Sequence, residues 1–254
     1  MRQRRVFIAL LAPLLAGLCV IASAPARAEV AMVAVASNFT APLAQIAAAF
    51  EAASGHEVRI VTGSTGKLYA QIANGAPVDV FLAADDATPR RLVDDGLAAA
   101  APFTYAIGQI VLWDPAGGPV GPERLGNTRF RRLAIANARL APYGRAAEEV
   151  IASLGAKEAL ADKLVRGENI GQTFAFVQSG NAELGFVALS QVLALPAANR
   201  GAYWSPPADA HAPIRQDGLA LRRSDGNPAA TAFLAFLKTD AARRIIQTHG
   251  YDQE

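Results

Sequence analysis

Cysteine is almost missing from this chain: the single example, Cys19, lies in an apolar stretch near the N-terminus. Beyond it there is nothing to form a disulfide or a thiolate metal site, so the chain tolerates an oxidising compartment. Histidine is scarce as well. His56, His211 and His249 stand far apart, in no Ser/His/Asp order and at no metal-ligand spacing. Trp113 and Trp204 are read as packing residues. There is no internal repeat, no coiled-coil heptad and no long run of like charge, which leaves an ordinary globular chain.

Met1-Arg2-Gln3-Arg4-Arg5 is a basic start, Val6 to Ile21 an apolar stretch, and Ala26-Arg27-Ala28 an A-x-A cleavage motif. This is the pattern of a cleaved signal peptide, with cleavage near Ala28/Glu29. The apolar stretch is too short to span a bilayer comfortably. Leu18 precedes Cys19 where a lipoprotein signal wants a small residue, so a lipid anchor is rejected. Removing residues 1–28 takes away Arg2, Arg4, Arg5 and Arg27 and no acid. That leaves 20 Lys plus Arg against 22 Asp plus Glu, a formal charge of −2 in place of +2. A mildly acidic exported chain is a poor nucleic-acid partner. The remaining 226 of 254 residues bury a sizeable core, as one large domain or two small ones.

Apolar strand-like runs alternate with helical patterns, which argues for α/β architecture with largely parallel sheets. Strands are expected at Ala31–Ala36, Glu57–Val61, Val78–Leu82, Leu133–Ala136, Leu184–Leu189 and Leu219–Arg222. Helices are expected from Phe39 to Ser54, at Lys67–Asn74, Pro89–Asp95, Tyr143–Leu154 and Gln172–Ser179, from Asn227-Pro228 onward, and at Asp240–Thr248. The long apolar segment Tyr105–Trp113 is a candidate passage from one lobe to another. The Pro-rich stretch around Pro206-Pro207 and Pro213 is a candidate return. With crossings near Ile107 and Ile214, a ligand would lie in the cleft at the carboxyl ends of strands.

Four strand-to-helix junctions share one design: Val33 to Phe39, Ile60 to Lys67, Asn137 to Gly144 and Gly167 to Gln172. A helix start exposes unpaired N–H groups and about half a positive charge, which suits an anion. Each junction also has an ordinary reading. Ser37 and Asn38 are good N-caps. Gly63-Ser64-Thr65-Gly66-Lys67 fails as a P-loop, because Val61 holds the first glycine position and Leu68 replaces the Ser/Thr. Lys67 reads as an exposed first-turn residue. Ala141-Pro142-Tyr143-Gly144 can be a simple turn, and Glu168-Asn169-Ile170-Gly171 a simple cap. Asp85-Asp86 after a strand reads as a helix-start feature rather than a metal or acid/base pair.

Taken in order, these junctions resemble the periplasmic molybdate-binding proteins of ABC importers, the ModA family. The resemblance rests on Ala36-Ser37-Asn38-Phe39, Gly63-Ser64-Thr65-Gly66, Gly75 to Phe81, Ala83-Ala84-Asp85, Phe103 to Gly108, Ile135-Ala136-Asn137, Ala141 to Gly144, Gly167 to Gln172 and Leu184 to Gln191. It implies a two-lobed type II binding-protein fold, each lobe a mixed, mostly parallel sheet flanked by helices. Residues 29–107 with 214–254 would form the first lobe and 108–213 the second. It also implies a periplasmic monomer that hands molybdate, and tungstate, to permease transmembrane subunits, with no resident cofactor and no catalysis.

The ligand residues implied are Ser37 through hydroxyl and N–H, Asn38 from backbone or side chain, and Thr65 in place of the usual serine. Tyr143 and Ile170 would give backbone N–H groups from the second lobe. All five would donate to molybdate oxygens, with no direct metal-ion ligand. Ala188 stands where some relatives use a tyrosine. The rival readings are a binder of sulfate, phosphate or an organic acid, an exported hydrolase using Ser37 or Ser64 as nucleophile, and a ferric-ion binder of similar fold.

Overall fold

The computed structural model describes residues 28–127 and 129–253. Apart from Ala28, the expected leader lies outside the described residues. The strands are β1 (Val30–Ala36), β2 (Glu57–Gly63), β3 (Val80–Leu82), β4 (Phe103–Gly108), β5 (Ile110–Asp114), β6 (Leu133–Ala136), β7 (Leu164–Gly167), β8 (Leu184–Ala188), β9 (Ala202–Trp204) and β10 (Ile214–Ala220). They sort into two sheets of five, in the orders β2-β1-β3-β10-β4 and β7-β6-β8-β5-β9. In the first, β1 lies parallel to β2 and β3, while β10 runs antiparallel to β3 and β4. The second repeats the plan: β6 is parallel to β7 and β8, and β5 is antiparallel to β8 and β9.

The central strands are apolar on both faces because helices cover both. Ala31, Val33 and Val35 of β1 pack with Phe39, Leu43, Ile46 and Phe50, on or just before helix Thr40–Ser54. Ala34, on the opposite face, packs with Leu68 and Ile72 of helix Thr65–Ala73. Helix Thr40–Ser54 stops where Gly55 turns left-handed at φ 73°, its N–H returning to the Glu51 carbonyl at 2.9 Å. In the second sheet Leu133 and Ile135 meet Ala147, Val150 and Ile151 of helix Pro142–Ser153. That apolar cluster continues across to Ala36, Ala84 and Ile214 of the first sheet's side, so the two lobes share a seam.

The apolar segment Tyr105–Trp113, the candidate passage between lobes, runs from β4 in one sheet through Gln109 to β5 in the other. Gly108 pairs with Ile214 at the end of the first sheet. The strand expected at Leu219–Arg222 starts five residues earlier, at Ile214. Its middle, Arg215-Gln216-Asp217, shows no apolar alternation because Gln216 and Asp217 are buried through polar contacts instead. Edge strands β7 and β9 are too short and too exposed to carry a periodic signal.

Glu183, just before β8, accepts hydrogen bonds from the Arg131 guanidinium at 2.9 Å and the Arg132 N–H at 2.9 Å, tying the start of β8 to that of β6. Slight burial alone would raise its pKa. The bonds from Arg131 and from the backbone outweigh it and hold the carboxyl at about 2, below the ordinary 4.5. A carboxylate lowered on folding stabilises the native state above its unfolded pKa and loses that contribution as pH falls toward the folded value. Glu183→Gln should therefore lower stability at neutral pH and flatten the loss between pH 4.5 and about 2, read by urea unfolding across that range.

Candidate functional site

The four junctions meet at one cavity between the lobes. It is lined by Ala36, Ser37 and Asn38, by Gly63, Ser64 and Thr65, by Ala84, by Ala141, Pro142 and Tyr143, and by Asn169 and Ile170. None of these side chains carries a formal charge. All five residues singled out from sequence line it. Among the described residues, no group of three or more His, Cys, Asp or Glu is placed to hold a metal ion.

Each junction is built differently. Ser37–Phe39 forms a single 3₁₀ turn after β1, and neither Ser37 nor Asn38 caps the following helix. The capping reading of these two residues therefore fails. The Ser37 hydroxyl instead reaches across the cleft, accepting from the Gly171 N–H at 3.1 Å and donating to Asn169 Oδ1 at 3.2 Å. Ser64 is the true cap of helix Thr65–Ala73, its oxygen accepting from the Lys67 N–H at 3.3 Å. The helix thus begins at Thr65, two residues before the expected start. Thr65 Oγ1 accepts from the Ala84 N–H at 3.0 Å, which leaves its own O–H proton available to a ligand.

From the second lobe, Pro142 is the first residue of its helix and Tyr143 the second. First-turn N–H groups have no partner within a helix, so that of Tyr143 is free to donate outward. Ile170 opens helix Ile170–Gln178 behind Asn169, whose Oδ1 accepts from the Gln172 N–H at 2.9 Å. Asn169 was read only as a cap; it also lines the cavity and meets Ser37, a role with no local signature. Ala188 lies buried at the end of β8 and is not part of the lining.

Behind the cavity sits a buried polar network. Asn38 Nδ2 donates to Gln216 Oε1 at 2.8 Å and to the Tyr251 hydroxyl at 3.0 Å. The Tyr105 hydroxyl lies 3.0 Å from Gln216 Oε1 and donates to the Ala83 carbonyl at 2.8 Å. Gln216 Nε2 donates to the Tyr143 hydroxyl at 3.2 Å. Burial pushes the phenols of Tyr105 and Tyr143 well above their usual pKa, so both remain neutral donors. Phe39 packs edge-on against Tyr105 and Tyr251, with ring centroids 4.8 and 5.2 Å away. Asn38 Oδ1 is buried with no partner.

Charges flank the cavity as pairs that bridge the lobes. Lys67 Nζ meets Glu168 Oε2 at 2.7 Å, and Arg145 meets Asp85 Oδ2 at 2.9 Å. Lys67 was expected to be a plain exposed residue; half exposed, it is also an interlobe tie. The Gly66 N–H adds a backbone bond to the Leu140 carbonyl at 3.0 Å, and a Cβ at Gly66 would lie only 3.3 Å from Leu140 backbone atoms.

No histidine touches Ser37 or Ser64. His56 Nδ1 accepts from the Glu29 N–H, His211 Nδ1 pairs with the Ala212 carbonyl, and His249 Nδ1 has no partner. The hydrolase reading therefore has a nucleophile candidate and no histidine base beside it.

Comparison with known proteins agrees with this geometry. Residues 31–252 match the model of the family described as bacterial extracellular solute-binding protein. The chain is 48% identical to the molybdate-binding protein ModA of Azotobacter vinelandii over 92% of its own length and 94% of that protein's. The chain belongs to the ModA family of extracellular solute-binding proteins. It is 43% identical to ModA of Rhodobacter capsulatus, over 91% of each chain. The solved periplasmic molybdate-binding protein of Azotobacter vinelandii superposes with a TM-score of 0.85 at 38% identity, covering 88% of this chain and 99% of that one. The two-lobed periplasmic binding-protein fold expected from the ModA resemblance is thereby established.

The interlobe ion pairs make a prediction about this family member's closure. Exposed pairs each contribute about 0–1 kcal/mol, weakened by salt. Lys67→Glu or Glu168→Lys alone should open the lobes at low salt, whereas the two together should restore the closed fraction. Small-angle X-ray scattering of the three variants reads this. Identical profiles for the native protein and both single variants would show that the pair holds nothing.

Proposed function

We propose that this protein is the soluble receptor of an ABC importer, closing its lobes on molybdate, and on tungstate, and delivering the anion to permease transmembrane subunits. The observation that carries the reading is the convergence of four helix-start junctions, from both lobes, on one cavity with no charged lining. The molybdate-binding relatives give the same ligand.

Thr65 donates its hydroxyl proton and Ser37 its backbone N–H, the Ser37 hydroxyl proton being held by Asn169 Oδ1, with Asn38 beside Ser37, and Tyr143 and Ile170 add helix-start N–H groups. Hydrogen bonds to an ionised acceptor are the strong ones, so neutral donors in a closed site compensate a dianion without counter-charge. Closure also needs contacts that exist only when the lobes meet. Ser37 to Asn169 and Gly171, Gly66 to Leu140, and the two ion pairs supply them. A ligand that bridges the same surfaces shifts the population toward the closed form, which the permease recognises. The chain works in the periplasm as a monomer, after loss of residues 1–28, and turns nothing over.

Isothermal titration with molybdate, tungstate, sulfate and phosphate tests the assignment. Molybdate and tungstate should bind tightly and phosphate poorly; sulfate binding as tight as molybdate would overturn the named ligand. Ser37→Ala and Thr65→Ala should each weaken molybdate binding by about 1–3 kcal/mol, the cost of an unpaired buried partner. Native affinity in both would place the anion elsewhere.

A further inference from the structure

Gln216 touches no surface and does not line the cavity, yet it holds one cavity residue from each lobe. It is fully buried on β10, where the pairing with β4 slips between Gln216 and Asp217. Such a bulge re-aims a side chain. Its Oε1 receives Asn38 Nδ2 at 2.8 Å and its Nε2 reaches the Tyr143 hydroxyl at 3.2 Å. Space for the bridge depends on Gly108, at the passage between the sheets. A side chain there would collide with both the Tyr143 hydroxyl and the Gln216 amide.

The polarity of this bridge fixes what Asn38 offers a ligand. With Nδ2 spent on Gln216 and Tyr251, neither of which lines the cavity, the atom left unpaired on this cavity residue is Oδ1, an acceptor. An unpaired buried acceptor is costly, and beside a dianion it is repulsive. An amide keeps nearly the same shape when its oxygen and nitrogen exchange places. Exchanging both amides together leaves the network satisfied. Gln216 Nε2 then donates to Asn38 Oδ1, the Tyr143 hydroxyl donates to Gln216 Oε1, the Tyr251 hydroxyl turns its proton from the Asn38 carbonyl to Asn38 Oδ1 while the Ser190 hydroxyl keeps that carbonyl, and the Tyr105 hydroxyl keeps the Ala83 carbonyl. The unpaired atom on Asn38 becomes an N–H.

Building on the oxyanion-receptor reading above, we propose that Gln216 is a positioning residue that sets anion specificity by fixing the polarity of the Asn38 amide. With Gln216 donating to Asn38, the cavity presents one more donor and favours a fully deprotonated oxyanion. With Gln216 accepting, it presents an acceptor, which suits an anion that carries a proton. Glutamine can do either, which a carboxylate or an aliphatic side chain cannot.

The test uses the full mature protein at mildly alkaline pH, where molybdate and hydrogen phosphate are both dianions and differ by one O–H. Ionised, Gln216→Glu adds a charge that penalises both anions alike, but a carboxylate can only accept and so pins Asn38 Oδ1 toward the ligand; because burial raises a carboxyl's pKa, the preference is read as pH is raised until it no longer changes. The preference for molybdate over hydrogen phosphate should fall by about tenfold or more. Gln216→Met removes the bridge without burying a charge. In its ¹H–¹⁵N spectrum the Asn38 side-chain NH₂ signal should no longer shift with molybdate, while the backbone amides of Thr65 and Ile170 still do. An unchanged preference in both variants, or an Asn38 NH₂ signal that molybdate leaves unmoved in the native protein, overturns the proposal. Sulfate is titrated alongside. A protein that binds sulfate and not molybdate loses its ligand assignment, and the sulfate-to-phosphate preference then judges Gln216 separately.

Discussion

The site depends on backbone N–H groups that a helix cannot satisfy within itself. Every helix leaves such donors at its start, and most are spent on water or on a capping side chain. Here strand ends aim several of them at one point, and the capping that does occur is economical. Ser64 and Asn169 each take one first-turn N–H, leaving others free toward the cavity. Pro142 at a helix start has no N–H to satisfy and presets the turn that presents Tyr143. The rest of the fold holds these helix starts in register.

That register comes from two copies of one sheet plan facing each other across a narrow passage. In each sheet the parallel strands end at the cleft, and an antiparallel strand next to them carries the chain between lobes. Gln109 between β4 and β5 makes the first crossing one residue long, which ties the lobes closely on that side. The C-terminal segment reinforces the tie. Asp252 exchanges backbone hydrogen bonds with Ile107, while the Tyr251 hydroxyl reaches the Asn38 carbonyl and Ser190. One edge of the cleft is therefore packed and hydrogen-bonded, whereas the Lys67–Glu168 pair, about half exposed, and the Gly66–Leu140 backbone bond join the lobes elsewhere.

Charge is kept out of the lining and placed in balanced pairs at its rim. A lysine or arginine inside would bind many anions strongly. Neutral donors at fixed positions discriminate by geometry and by whether the guest brings a proton. The buried phenols and amides behind the cavity extend this arrangement inward, since each hydroxyl stays protonated and each amide has a direction.

The sequence alone determined the α/β alternation, the positions of the central strands and the four junctions. Each of these is written in local chemistry: apolar runs bounded by glycine, proline and hydroxyl residues. Through their order along a pattern resembling one family it also named Ser37, Asn38, Thr65, Tyr143 and Ile170, which the fold brings to one cavity. Ser37 and Asn38 have the residue types of caps and cap nothing, because capping is a local habit that partners elsewhere in the fold override. Nothing local marks Gln216, Tyr251 or the role of Asn169. Gln216 sits in a stretch without apolar periodicity, 178 residues from Asn38, and its meaning arises only where β10, two strands from β1 in the same sheet, meets the turn after β1 and the second lobe's Tyr143. Local preferences set which helices and strands form. The direction of a buried hydrogen bond is a property of all its partners together, so only the tertiary structure decided it.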